Sequence, residues 1–387
     1  MNKKSSVLRI VSLSAFLALL SVIAYLHQIR GGGPEGIPPI DAFCPFGGME
    51  TLYRWLTEGS FMRRVAPSSL VIFSATVVMA IFLGRAFCGW ICPLGAIGEF
   101  SAFLGRKLRI SAVKIGEKTD GALKYLKYVL LIVILAGTYR TDTLVFRNYD
   151  PWVGWAHLTS ITNIEYAVSF AVLFIVVIGA SVFIERFWCR YLCPQGALLG
   201  IISKASMLRV GRQSPNCASC GICRAACPMR LQPDKIASPA ECIVCGKCTW
   251  SAPYKCGVSF RFLRKHIKAV TAGIAAIALL LIFIGGAKLS GSWITFVMPS
   301  PSEARMSTES LNESIFGWMN LEQVSELSGI PVSRIKREAR LKDDVSETEP
   351  MRSMGITNRV REAVLSIYTS MNVKEEGYFC PFKSPLK

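Results

Sequence analysis

The chain carries fourteen cysteines, and their spacing says more than their number. The run PNCASCGICRAACP places Cys217, Cys220, Cys223 and Cys227 directly ahead of Pro228. This is the bacterial iron–sulfur spacing C-x2-C-x2-C-x3-C-P, in which three close thiolates wrap one face of a cubane cluster and the fourth reaches a second cluster. A second run, ECIVCGKC, supplies Cys242, Cys245 and Cys248, and Cys256 follows in YKCG. Its last gap is x7 instead of x3, and Gly257 stands where proline is usual. The expected assignment is crossed. Cys217, Cys220, Cys223 and Cys256 hold one 4Fe–4S cluster, and Cys242, Cys245, Cys248 and Cys227 hold the other. Two three-cysteine runs with two outlying cysteines fit paired C-x2-C zinc sites poorly. A cytoplasmic position disfavours disulfides.

Four further cysteines stand in two matched stretches, RAFCGWICPLGA (Arg85–Ala96) and RFWCRYLCPQGA (Arg186–Ala197). Arg85, Cys88, Cys92, Pro93, Gly95 and Ala96 match Arg186, Cys189, Cys193, Pro194, Gly196 and Ala197. Cysteines at i and i+4 share one face of a helix, and proline opens a new helix at no cost in hydrogen bonds. Cys88, Cys92, Cys189 and Cys193 could therefore gather into a metal or iron–sulfur centre. Four small thiols packing helix ends is the alternative.

An apolar stretch precedes each pair. A bilayer core about 30 Å thick needs roughly 20 mainly apolar residues per helix. Five segments qualify: about 7–25, 68–87, 123–138, 164–184 and 267–287. Lys3, Lys4 and Arg9 precede or open the first; it reads as an uncleaved anchor. Basic residues cluster after the second span (Arg106, Lys107, Arg109, Lys114, Lys118), after the fourth (Arg186, Arg190, Lys204, Arg209, Arg212) and before the fifth (Arg261, Arg264, Lys265, Lys268). The positive-inside rule then puts the N-terminus and all the clustered cysteines in the cytoplasm and the C-terminal region outside. Topology accounts for the net charge of +18, so nucleic acid is not an expected partner. Both halves show an outward helix, an outer x-Pro-aromatic loop (Cys44-Pro45-Phe46, Asp150-Pro151-Trp152), a return helix and CxxxCP. Equal orientation makes this a parallel repeat about an axis along the membrane normal.

On the outer side, LEQVSELSGIPVSRIKREARL (Leu321–Leu341) has helical spacing with Gly329 at a turn, like a helix-turn-helix. Placed outside, it reads as a module that docks a partner. Phe43-Cys44-Pro45-Phe46 recurs as Phe379-Cys380-Pro381-Phe382, so Cys44 and Cys380 are a candidate outer redox pair. Asp150, Trp152 and His157 are candidates for a quinol site by position and residue type. No nucleophile–base set, phosphate loop or paired carboxylate site emerges, so no catalytic residue is assigned.

Across about residues 68–258 these motifs resemble the NapH/NosR-type membrane polyferredoxin family, which joins paired membrane CxxxCP motifs to a two-cluster ferredoxin module. The long extracytoplasmic flavin-binding region expected of a full NosR-like protein is missing, and a fifth span and an outer domain are added. The resemblance implies electron transfer at or across the membrane, or support of an outer reductase.

The expected fold is an all-α integral membrane protein of about five transmembrane helices in tandem parallel repeat. It carries an inserted α+β bacterial-type ferredoxin domain and a small C-terminal helical domain. Expected boundaries are 1–28 for the first helix, 29–213 for the membrane domain, 214–258 for the ferredoxin-like domain, 266–290 for the fifth helix and 302–370 for the outer domain. The expected function is a multi-pass iron–sulfur electron carrier of the cytoplasmic membrane, an electron-transfer subunit more than a self-contained enzyme. It would link a cytoplasmic donor or quinol to a membrane or extracytoplasmic redox protein. The alternative is a maturation or redox-sensing accessory of an outer metalloenzyme. A hydrocarbon core of about 30 Å is too wide for one efficient hop, so quinone is a candidate further carrier.

Overall fold

The computed structural model describes residues 3–376 apart from 34–35, 59–65, 112, 114, 142–144, 159–165, 213–219, 234–239, 252–257, 264, 297–300 and 302–307. Cys217, Cys256 and Cys380 lie outside the described residues. The chain divides into two units, Met1–Gln28 with Pro39–Thr295, and Ile29–Pro38 with Phe296–Lys387.

The first unit is a helix bundle with a small sheet. Its helices are α1 (Lys3–Arg30), α2 (Pro45–Glu58), α3 (Ser68–Leu83), α4 (Ala86–Trp90), α5 (Pro93–Lys107), α6 (Glu117–Leu123), α7 (Leu126–Thr141) and α8 (Pro151–Ala156). They continue with α9 (Ala167–Phe183), α10 (Pro194–Ser203), α11 (Ile222–Ala225), α12 (Lys247–Ser251) and α13 (Ala269–Leu289). Three helical stretches are long and apolar enough to cross a membrane: Ser5–Arg30, Glu117–Arg140 and Ala269–Leu289. Two shorter apolar helices are α3 and α9. Ile132, Ile175, Leu281 and Ile282 point outward and are exposed. An apolar outer surface of this kind suits lipid, where every backbone group is already bonded inside its helix. Buried Ala75 and Met79 of α3 and Ala272 and Ala276 of α13 share one core, since small residues let helix backbones approach.

Side-chain bonds define the two ends of the bundle. At one end, Arg9 of α1 donates to the Gly89 carbonyl and Ser12 donates to the Trp90 carbonyl. At the other, Gln28 donates to the Ala156 carbonyl, and Ser68 N–H bonds Ile294 O beyond α13. The return helices α3 and α9 therefore both lead to the cysteine-bearing end.

The second span stops at Leu83, short of residue 87, where Gly84 adopts φ 62° and ends the helix. The fourth begins at Ala167 and passes through a π-helical stretch, Val172–Gly179. The third is continuous with the polar α6 and so is longer than residues 123–138.

Strands β1 (Leu208–Arg212), β2 (Val258–Phe262) and β3 (Lys265–Ile267) form an antiparallel sheet in that order. Leu208 pairs with Phe262, and Arg212 with Val258. This pairing ties together the two ends of the cysteine-rich stretch. Val210, Met229, Ile243 and Phe260 are buried beneath it.

The second unit contains α14 (Thr308–Ser314), α15 (Leu321–Ser328), α16 (Val332–Glu338) and α17 (Thr357–Glu376). Asn320 and Gln323 close a capping box on α15, and Gly329 at φ 73° ends it, giving a helix–turn–helix. Val324, Leu327, Ile335, Val360 and Val364 lie in its own core.

Candidate iron–sulfur centres

Cys227, Cys242, Cys245 and Cys248 line one small cavity with Met229, Ile243 and Phe260. These are the four residues of one half of the crossed assignment. Gly246 turns the chain between two of them at φ 79°, and a Cβ there would lie 2.7 Å from the Trp250 ring. Leu231 N–H donates to Cys227 Sγ at 3.4 Å, a bond that favours an anionic sulfur. Burial, reinforced by neighbouring cysteines, pushes Cys227 up to about 11 and Cys242 up to about 12. Such thiols stay protonated at neutral pH until a metal displaces the proton. Of the first run, Cys220 is exposed and Cys223 buried, with Cys223 in electrostatic reach of Cys248.

The CxxxC pairs do not lie along one helix face. Cys88 sits within α4, whereas Cys92 is extended (φ −62°, ψ 120°) at the cap of α5. Cys189 sits in a π-helical turn, Trp188–Leu192, and Cys193 is extended (φ −67°, ψ 111°) ahead of α10. The cause is the following proline, whose ring excludes helical geometry from the residue before it. Pro93 and Pro194 open the next helices, as expected.

Cys88, Cys92, Cys189 and Cys193 line a single cavity of about 200 Å³. Cys193 lies in electrostatic reach of the other three, and Cys92 of Cys88 and Cys189. Among the described residues no three His, Cys, Asp or Glu side chains converge tightly enough for one metal ion. A mononuclear site draws its sulfurs to about 2.3 Å from the ion, whereas a cluster body holds its ligands apart.

Two fully buried arginines flank the thiols. Arg186 donates to the Cys88 carbonyl at 2.7 Å and pairs with Glu99 at 2.9 Å. Arg85 donates to the Ala240 carbonyl at 3.2 Å and faces Glu241 at 3.5 Å. The two cross over: a Cβ on Gly95 would meet Arg186 Nη1 at 2.8 Å, and one on Gly196 would meet Arg85 Nη2 at 2.7 Å. Among the described residues, Nε of both arginines and Nη2 of Arg85 make no hydrogen bond of acceptable geometry. Buried cationic groups of this kind need an anion nearby. A thiolate-ligated iron–sulfur cluster is net anionic and meets that need, so the residues fit such a group.

The two cysteine systems touch. Trp90 Nε1 donates to the Val244 carbonyl at 2.9 Å, between Cys242 and Cys245. Gly89 lies so close that a Cβ would fall 3.2 Å from the Ile243 carbonyl carbon and inside contact with its oxygen. Lys127 and Tyr128 of α7 bind Glu241 at 2.5 and 3.0 Å, and Lys247 binds Glu99 at 2.7 Å. In the second pair, Arg190 and Tyr191 replace Gly89 and Trp90, and both bond Asp120 of α6. Glu99, Asp120, Lys127 and Glu241 were not singled out from the sequence. Arg9 was read only as a topology signal, although it reaches Glu99 at 2.6 Å. Charged residues inside or beside apolar spans, here Arg9 and Lys127, were the signal that could have found them.

The cavity runs on toward the opposite end of the bundle, where Cys44, Asp150 and Trp152 line it. Burial, with the nearby Asp41, raises Asp150 to about 7 despite its bond from Trp152 N–H. His157 is not brought to the cavity: it stacks on Tyr166 at 4.0 Å.

A family model described as a 4Fe-4S binding domain matches residues 65–111 and 166–214, the two stretches that hold the CxxxCP motifs. YccM of Escherichia coli is 29% identical over 71% of this chain and 77% of its own length. MJ0750 of Methanocaldococcus jannaschii is 33% identical over 57% of this chain and 87% of its own. The ferredoxin-type protein NapH of Haemophilus influenzae is 27% identical over 50% of this chain and 69% of its own. No solved structure matches. With membrane-length apolar helices, a 4Fe-4S family model and relatives of this kind, the chain belongs to the NapH/NosR-type family of membrane-bound ferredoxin-type electron-transport proteins.

Proposed function

We propose that this protein is a multi-pass carrier of the cytoplasmic membrane that moves electrons between a cytoplasmic donor or quinone and a membrane or extracytoplasmic partner. Two 4Fe–4S clusters would sit in the crossed cysteine sets. A further centre would sit at Cys88, Cys92, Cys189 and Cys193, the inner end of a parallel repeat. The observation that carries this reading is the docking of the Cys242–Cys248 run onto the Cys88–Cys92 turn through Trp90 and Val244. A cluster supplies one-electron chemistry, and the chain's own residues hold the two sites in contact. The positive-inside rule supports a cytoplasmic position for both, with the C-terminal helical unit outside as a docking module.

The cavity supports quinone as the further carrier. It is lined by Leu19 and Ile23 of α1 and by Leu281 and Ile284 of α13, an apolar cleft suited to a ring and its isoprenoid tail, with Leu19 and Leu281 also exposed on the outer surface. Asp150 stands at its outer end as a proton acceptor. A second reading, an accessory or sensing role, draws on one relative, the regulatory protein NosR of Pseudomonas aeruginosa, 29% identical over 54% of this chain.

Anaerobic purification with iron and sulfide analysis, then EPR after reduction, tests the carrier. Eight irons per chain are expected from the two ferredoxin clusters, with additional iron that disappears when Cys88 and Cys189 are both replaced by serine. No EPR signal from a reduced, iron-replete sample would sink the carrier reading.

A further inference from the structure

We infer that Arg85 is a positioning residue shared by two redox centres, seated between the Cys242–Cys248 cluster and the four-thiol centre, and that its charge raises the reduction potential of both. This rests on the proposed centre at Cys88, Cys92, Cys189 and Cys193. Arg85 is fully buried. Its guanidinium lies in electrostatic reach of one cysteine from each pair, Cys88 and Cys193, and of Cys242 in the ferredoxin run. Its Nη1 holds the Ala240 carbonyl, two residues before Cys242. One side chain thus touches the frame of both sites.

The matched Arg186 meets Glu99 at 2.9 Å, a carboxylate it shares with Arg9 at 2.6 Å and Lys247 at 2.7 Å. The carboxylate facing Arg85, Glu241, is 3.5 Å away and is held more tightly by Lys127 at 2.5 Å. Arg85 thus shares its carboxylate with a second cation, and its Nε and Nη2 find no hydrogen bond of good geometry among the described residues. A buried cation of this kind is costly unless an anion stands beside it. Reduction adds one negative charge to a cluster, and net charge around the cluster is one of the terms that set its potential. A fixed cation in a low-dielectric interior favours the reduced form of each centre it faces.

The test is an EPR-monitored redox titration of the full-length protein in nanodiscs, with signals assigned by Cys88→Ser and Cys245→Ser. In Arg85→Met, the reduced-to-oxidised ratio of both centres should fall at least tenfold at fixed ambient potential, a shift of 59 mV for a one-electron couple. Arg85→Lys, which keeps the charge, should hold both midpoints near wild type. Arg106→Met, which removes an exposed guanidinium, should leave them unchanged. If Arg85→Met does not retain iron, Arg85→Gln keeps a donor for the Ala240 carbonyl and should give the same shift. Unmoved midpoints in an iron-replete neutral variant, a shift confined to one centre, or an equal shift in Arg85→Lys overturns the inference. Absence of a third signal from wild type sinks the underlying reading instead.

Discussion

Gly89→Ala should undock the ferredoxin run from the membrane centre while leaving the bundle folded. The new Cβ would lie 3.2 Å from the Ile243 carbonyl carbon, inside contact with its oxygen and 3.5 Å from the Cys245 nitrogen. These are backbone atoms of the Cys242–Cys248 turn, so no side chain can swing away. Forcing a methyl into packed space costs about 1–3 kcal/mol. If the turn retreats instead, the Trp90–Val244 bond of 2.9 Å breaks, and leaving buried polar partners unmade costs about 1–3 kcal/mol. Either response costs about 1–3 kcal/mol, and it falls on one interface. Whole-domain stability is about 5–15 kcal/mol, so local opening comes before unfolding. Amide hydrogen exchange of residues 240–251, read anaerobically by mass spectrometry, should accelerate by a factor of ten or more. Trp90→Phe should give a smaller increase, since it loses only the hydrogen bond. Wild-type exchange in an iron-replete Gly89→Ala protein would refute the proposed contact.

Asp120→Asn removes the carboxylate that receives Arg190 and Tyr191 and pairs with Lys124 at 2.8 Å. Breaking a buried ion pair from one side costs about 3–5 kcal/mol, so a clear drop in thermal midpoint is expected in detergent. Cys245→Ser should lose about half of the ferredoxin iron and one EPR signal, whereas Cys44→Ser should leave iron content intact. Because burial holds Cys227 and Cys242 near 11 and 12, each must release a proton on ligation. Reconstitution of chelator-stripped protein should therefore weaken as pH falls from 8 to 6, checked by absorbance and iron binding. Thiol labelling from outside intact cells should reach Cys380 only after reduction if it pairs with Cys44; labelling of both without reduction excludes that pair.

Local spacing already pointed to the chemistry. Thiolate spacing in Cys217–Cys227 and Cys242–Cys248 points to iron–sulfur ligation because ligand geometry is set over a few residues of chain. Apolar length marks candidate spans because a bilayer has one thickness: three of the five expected segments are helices of membrane length, and the other two are shorter apolar helices. The helix–turn–helix of Leu321–Leu341 was legible from its spacing and Gly329 for the same local reason. The helix-face reading of the CxxxC pairs failed because Pro93 and Pro194 force Cys92 and Cys193 out of helical geometry. Packing, not spacing, settled that Arg85 and Arg186 cross between the halves. It also settled that Gly89 and Trp90 meet the Cys242–Cys248 run, whereas their counterparts Arg190 and Tyr191 bond Asp120. These are contacts between residues some seventy to 155 apart in the chain. They depend on how helices pack and where buried charges find partners, which no local spacing encodes.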